Sequence, residues 1–207
     1  MCDGKKVCSV GGDSFGYFPG SIMSQSAEAL ANISGRRNVT IEISNSSSSY
    51  VFIDPKIYTE SGHTHVPPGP TITPMKTEIC NFSKTSAKTS GAVGLLSYDV
   101  VRLQGKPRVV GKLVIMYSVP YDQNAYANWV GLGIFSPEVE VNEDLYKKMY
   151  YDKEPQGFVR AKAGGSVLTY TGQYLDVMAT MSPLGRAIMK VQIWEKVFSP
   201  PMAQGPY

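Results

Sequence analysis

The hydrophobic pattern changes period at Arg37. Before it, Ile22, Gln25/Ser26, Ala29/Leu30 and Ile33 recur at helical spacing, so Ser21–Ile33 is predicted as a helix with one mildly apolar face. After it, Val39, Ile41 and Ile43 alternate with Thr40, Glu42 and Ser44, the period of a half-buried strand. Serines 46–49 make a turn, and residues 50–53 start a strand that Asp54-Pro55 is expected to stop. Residues 66–70 hold three prolines and are predicted as an irregular edge or turn. Residues 72–82 and 92–103 are β-rich, and the strongly apolar run 109–119 is predicted as a central strand. Residues 129–135, 166–170, 174–181 and 187–197 are further short strands. Asn142, followed by Glu143 and Asp144, suits the start of a helix over 142–151, because the side chain caps and the acids meet the positive end of the dipole. Many short strands and two helices predict a mainly β fold, an antiparallel β-sandwich flanked by two α-helices.

The organisation expected is a flexible lead over 1–20, the helical segment 21–35, a sandwich domain over 36–198 and a tail over 199–207. Five glycines and a proline mark the lead. At 207 residues the chain is long enough to bury a core without metal or disulfides. A net charge of +3 permits attraction to an anionic membrane surface but falls short of the basic face a nucleic-acid binder needs. Cys2, Cys8 and Cys80 are an odd set and imply no disulfide framework. The first twenty residues show no continuous apolar core of the signal-peptide kind.

Catalysis finds little support. His63 and His65 share one face of a strand, yet no Cys or acid is spaced to complete a metal site, and an exposed pair is the simpler reading. No serine has a nucleophile-elbow context, and the glycines form no phosphate loop. The chain is therefore expected to be non-enzymatic, with no cofactor.

The run Tyr117-Ser118-Val119-Pro120-Tyr121-Asp122-Gln123-Asn124-Ala125-Tyr126-Ala127-Asn128-Trp129 carries more information. Val119 before proline is held extended, so a strand ends there, and the polar residues that follow form a solvated loop studded with aromatics. Tyr146 and Tyr150 are four apart and share a helix face, with Tyr151 alongside. Loop and helix together could line a recess whose ring faces attract a quaternary ammonium group. The plainer alternative is that these tyrosines cover core edges with their hydroxyls in water.

Those segments, with the strand SGAVGLLSYDV and the entry GRRNVTIEISNSS, resemble the actinoporins, membrane-binding cytolysins of sea anemones with relatives in other animals; the likeness spans roughly residues 28–196 in collinear order. The resemblance implies a sandwich that binds the phosphocholine head of sphingomyelin through Ser61, Val93, Ser118, Pro120, Tyr126, Tyr146, Tyr150 and Tyr151. It also implies Tyr121 and Trp129 at the membrane interface, a pore-forming segment carrying Ile22, Leu30 and Ile33, self-association into an oligomeric pore, and secretion toward a target-cell membrane. The chain departs from the family pattern at Ala125 and Val130, where aromatics are usual, and lacks the Arg-Gly-Asp tripeptide. Gly16, Pro19 and Gly20 interrupt any longer N-terminal helix. Two alternatives stay open: a carbohydrate-binding lectin of the fungal fruit-body type, with the tyrosines stacked on sugar faces, and a lipid binder without lytic activity.

Overall fold

The computed structural model describes residues 21–153 and 155–196, with residues 21–26 described as backbone only. The expected lead over 1–20 and the tail over 199–207 lie outside the described residues. Along the chain come α1 (Ser21–Ile33), β1 (Asn38–Asn45), β2 (Tyr50–Ser61), β3 (His63–Val66), β4 (Thr71–Ile72), β5 (Thr77–Ser83), β6 (Ala92–Arg102), β7 (Arg108–Val119), β8 (Trp129–Phe135), α2 (Glu143–Tyr151), β9 (Phe158–Lys162), β10 (Leu168–Thr171), β11 (Leu175–Met181) and β12 (Arg186–Glu195). They form two six-stranded sheets, ordered β10-β11-β12-β1-β5-β3 and β4-β2-β6-β7-β8-β9. The sandwich and its two helices are as expected, with one departure from an all-antiparallel scheme: β1 pairs with β12 in parallel.

The main core lies between the sheets. Val39, Ile41 and Ile43 of β1 meet Leu113, Ile115 and Tyr117 of β7, and Phe82 stacks on Tyr117 with centroids 4.6 Å apart. A second, smaller core lies on the other face of β7, where Val114 and Met116 pack with Leu95, Leu145, Tyr146, Met149 and Phe158. Burial on both faces explains why β7 reads as a continuous apolar run rather than an alternating one.

Local chemistry sets the helices. Asn142 caps α2, its side chain accepting from Leu145 N at 3.1 Å. The approach to α2 is fixed by the buried Lys112, whose Nζ donates to the carbonyls of Pro137 and Val139, each at 2.7 Å, and lies 3.7 Å from Asp99. The other helix, α1, packs on β1 and β12. Among its described side chains Ala27 and Ala31 are buried, whereas Leu30 is half-buried and Ile33 is 76% exposed. Beneath it sits a polar layer: Asn38 Nδ2 donates to the carbonyls of Ala31 and Gly35, and Asn81 Nδ2 donates to Thr40 Oγ1. Of the predicted apolar face, Leu30 is thus only partly covered and Ile33 lies open, while the small Ala27 and Ala31 let the helix approach a polar sheet surface closely.

Two sequence expectations change. Asp54-Pro55 does not stop a strand; β2 continues to Ser61, with Asp54 at φ 50° inside a break of register between Ile53 and Lys56. A bulge absorbs the proline, which needs no ladder donor there. The second change is β9, which was not foreseen at all. It is short and half-exposed, with no alternation to betray it.

Candidate functional site

One end of the second sheet gathers the residues singled out by the tyrosine pattern. Ser61 pairs with Val93, Val93 with Ser118, Ser118 with Trp129 and Trp129 with Lys162, a single row across five strands. The alternation that points Leu95, Val114 and Met116 toward α2 gives Val93, Ser118 and Trp129 the same outward face. Sequence distance hides this row, since its members are spread over about a hundred residues.

The last turns of α2 stand over that face. Tyr146 and Tyr150 stack with centroids 5.6 Å apart, Tyr150 meets Tyr151 edge-on at 4.8 Å and Trp129 at 6.4 Å, and Tyr58 of β2 lies 5.9 Å from Tyr146. The result is a continuous aromatic chain, Tyr58–Tyr146–Tyr150, with Trp129 and Tyr151 branching from its end. Tyr58 was missed in the sequence because its strand was expected to end at Asp54. Position 146 is nearly covered, position 150 is half-buried and position 151 is 65% exposed, so the reachable rings are Tyr150 and Tyr151. Ser118 is 2% exposed and forms the floor rather than the rim.

Tyr126 stands apart. Its ring is 65% exposed and, among the described residues, touches none of the other rings. Its loop is nonetheless ordered by its own polar residues. Asp122 Oδ1 accepts from Asn124 N at 2.9 Å, and Tyr126 N donates to the Asp122 carbonyl. The buried Asn128 pins the loop's far end, donating to the carbonyls of Ser182 and Leu184 in the β11–β12 turn. Tyr121 is 47% exposed beside Pro120, with Lys84 Nζ 5.8 Å above its ring.

Glycines close the floor. A Cβ at Gly91 would strike the Val119 carbonyl oxygen and come within 3.1 Å of Pro120 Cα, so only glycine lets these strands meet. Ser61 Oγ donates to the Gly91 carbonyl at 3.3 Å, which joins Ser61 and Pro120 to the same corner.

Charge at the site has a definite layout. Arg160 donates to the carbonyls of Met149, Tyr150 and Asp152, satisfying the orphan carbonyls at the end of α2. The negative end of the helix is therefore already neutralised, and ring faces are what remains to attract a cation. Arg160 and Lys162 lie 5.3 and 5.7 Å from the Trp129 ring, so that face is occupied too. The Tyr146 and Tyr58 phenols stay protonated. Burial, then the neighbouring Tyr150 and Tyr151, pushes Tyr146 well up, and Tyr58 is pushed up to about 12, first by its hydrogen bond to Glu60. The corner thus offers a ring face for a cation beside tyrosine hydroxyls and the Lys162 ammonium for an anion. A zwitterion has that pattern.

Elsewhere, His63 and His65 are both exposed with rings 6.4 Å apart, and no group of three or more metal-ligating side chains occurs among the described residues.

Comparison with known proteins agrees with this architecture. The model of a family described as sea anemone cytotoxic protein matches residues 12–195. DELTA-stichotoxin-Hcr4a of Radianthus crispa is 30% identical over 105 residues, 51% of this chain and 53% of that protein. Tereporin-Ca1 of Terebra anilis is 29% identical over 142 residues, 64% of this chain and 71% of that protein. The chain thus spans about half the length of the first relative. Among solved structures, the crystal structure of the lipid binding protein Nakanori superposes with a TM-score of 0.64 at 11% identity, over 85% of this chain and 80% of that one. At that identity the likeness speaks for the fold alone.

Proposed function

The chain belongs to the sea anemone cytotoxic protein family, and on that premise we propose that it is a non-enzymatic membrane-binding protein that recognises phosphocholine head groups, those of sphingomyelin included. The observation that carries this reading is the row Ser61–Val93–Ser118–Trp129 lying under the stacked pair Tyr146–Tyr150. The ammonium sits against the exposed ring faces of Tyr150 and Tyr151. The phosphate takes hydrogen bonds from tyrosine hydroxyls and charge from Lys162. Val93 and Pro120 supply apolar walls, while Tyr121, Tyr126 and Trp129 enter the interface, where amphipathic rings are favoured.

Insertion is the second half of the proposal. Among the described side chains α1 buries two alanine methyls, at about 0.8 kcal/mol each, against about 1.5–3 kcal/mol for each of Leu145 and Met149 under α2. The first helix is therefore the one that leaves, carrying Leu30 and Ile33 into the bilayer, with Ile22 on the same segment, as subunits self-associate into a pore. Its thirteen residues reach about 20 Å, short of the ~30 Å hydrocarbon core, so spanning requires residues before Ser21 as well.

The deciding experiment is co-sedimentation and dye release with phosphatidylcholine vesicles made with and without sphingomyelin, on the wild type and Tyr150→Ala. Binding lost in the variant and release seen only with the wild type are the expected results. Equal binding by a folded Tyr150→Ala would overturn the site.

A further inference from the structure

At the opposite pole of the sandwich, where β1, β6 and β12 end and β2 and β11 begin, an open cleft of about 590 Å³ carries an exposed tryptophan. The twelve residues of β7 separate this pole from the aromatic corner by roughly 36 Å. The cleft is no part of the proposed lipid site.

Its walls combine flat apolar rings with a fixed polar array. Trp194 points outward from β12 and is 46% exposed, and Tyr174 lies beside it with the Arg102 guanidinium 5.7 Å from its ring. The polar residues are held in place. Glu195 Oε2 accepts from Ser48 N, Ser48 Oγ and Ser49 N at 3.1, 3.0 and 3.2 Å. Burial works against charge on this carboxyl, but the hydrogen bonds from Ser48 and Ser49 outweigh it and hold the group below the usual carboxylate range. Gln104 is gripped from two sides, accepting from Arg102 Nη2 at 2.8 Å and donating to Ser49 Oγ at 3.0 Å.

We propose that this cleft binds a saccharide, stacked on Trp194 and hydrogen-bonded through its hydroxyls to Glu195, Gln104 and Ser48. The reason is the mixture of groups. A sugar ring offers an apolar C–H face and an edge of hydroxyls that both donate and accept. The cleft matches that with an indole face, a carboxylate acceptor, an amide that does both and serine hydroxyls. A phosphate-type anion would face the Glu195 carboxylate, while the two lining cations are already engaged, Arg102 with Gln104 and the Tyr174 ring and Lys196 with Asp176 and the Gly172 carbonyl. An extended peptide has no free ladder to join, because β1 and β12 are paired on both sides. Preorganisation favours a rigid ligand, since Glu195 and Gln104 pay little entropy on contact.

The test uses the full chain and its two tryptophans. In a Trp129→Phe background Trp194 is the sole tryptophan and is excited selectively over the tyrosines, and titration with methyl glycosides of galactose, glucose, mannose and N-acetylglucosamine should give a saturable signal with at least one of them. The full-length protein on an oligosaccharide array should show a matching preference. Trp194→Ala and, separately, Gln104→Ala should weaken array binding by about tenfold, the scale of losing one stacked ring, while circular dichroism stays unchanged. Both positions lie at the surface, so neither variant hollows the core. Absence of any saccharide signal, or array binding that survives Trp194→Ala, overturns the proposal. So does a peptide-library signal that Trp194→Ala removes while no sugar binds. Sedimentation with phosphocholine vesicles separates the two sites: binding there should be unaffected by Trp194→Ala, and its loss would assign this cleft to lipid instead of sugar.

Discussion

Arg37 Nε donates to the carbonyl oxygen of Tyr121 at 2.9 Å, joining the chain just past α1 to the aromatic loop across a sequence separation of 84 residues. The bond connects the helix proposed to leave with the loop proposed to meet the membrane. Arg37→Ala should cost about 0.5–1.5 kcal/mol, the scale of one net hydrogen bond. Hydrogen exchange should rise both near residue 33 and in 121–126. Faster exchange in only one of those segments would show that the bond does not couple them.

Ring face and hydroxyl can be separated at Tyr150. Tyr150→Phe keeps a face and should retain most vesicle binding, whereas Tyr150→Ala should lose about 0.5–2 kcal/mol. Tyr126→Ala should lose less, because that ring stands outside the stacked chain. Vesicle sedimentation across the three variants ranks them. A larger loss at Tyr126 than at Tyr150 would move the site into the loop.

Removal of residues 1–33 should leave a folded sandwich that binds vesicles and releases no dye. Among the described residues the main core contains nothing from α1, so near-ultraviolet dichroism should keep its aromatic signal. Dye release by the truncated protein would rule out insertion through this segment.

Overpacking tests how α1 is held. Ala27 is fully buried, and Ala27→Leu should destabilise the docked helix by about 1–3 kcal/mol. The loss should appear as local exchange in α1 with little change in global unfolding, because the strands beneath are independently packed.

Acid stability has a named contributor. Glu195 is held below its usual range by Ser48 and Ser49, so the stabilisation is fully present above the unfolded carboxylate value and fades as pH falls through the lower folded one. Glu195→Gln should therefore flatten the acid side of the stability profile, measured by urea unfolding between neutral pH and pH 3. An unchanged acid limb would mean that other carboxylates dominate it.

What the sequence shows plainly is what local rules govern. The bounds of α1 agree with its helical spacing, α2 begins where Asn142 caps it, and the central place of β7 follows from its strongly apolar run, unbroken over 113–117. What it hides is nonlocal. Nothing near Ser61 announces Val93 or Ser118 as neighbours, since ladder register brings them together. Tyr58 was lost behind Asp54-Pro55, where a bulge overrode the usual meaning of a proline. How α1 docks is equally hidden, because hydrophobicity ranks Leu30 and Ile33 above alanine, while the buried Asn38, Thr40 and Asn81 favour close approach through Ala27 and Ala31.

Burial of β7 on both faces makes the two helices unequal partners. Lifting α2 would bare Leu95, Val114 and Met116 as one sticky apolar field, inviting clumping in water before any membrane was reached. Lifting α1 bares mostly amides and hydroxyls, which water wets readily. The fold thus has a safe side and a dangerous side for coming apart, and on the proposed route a shape change confined to the safe side would keep the protein dissolved until it met a surface.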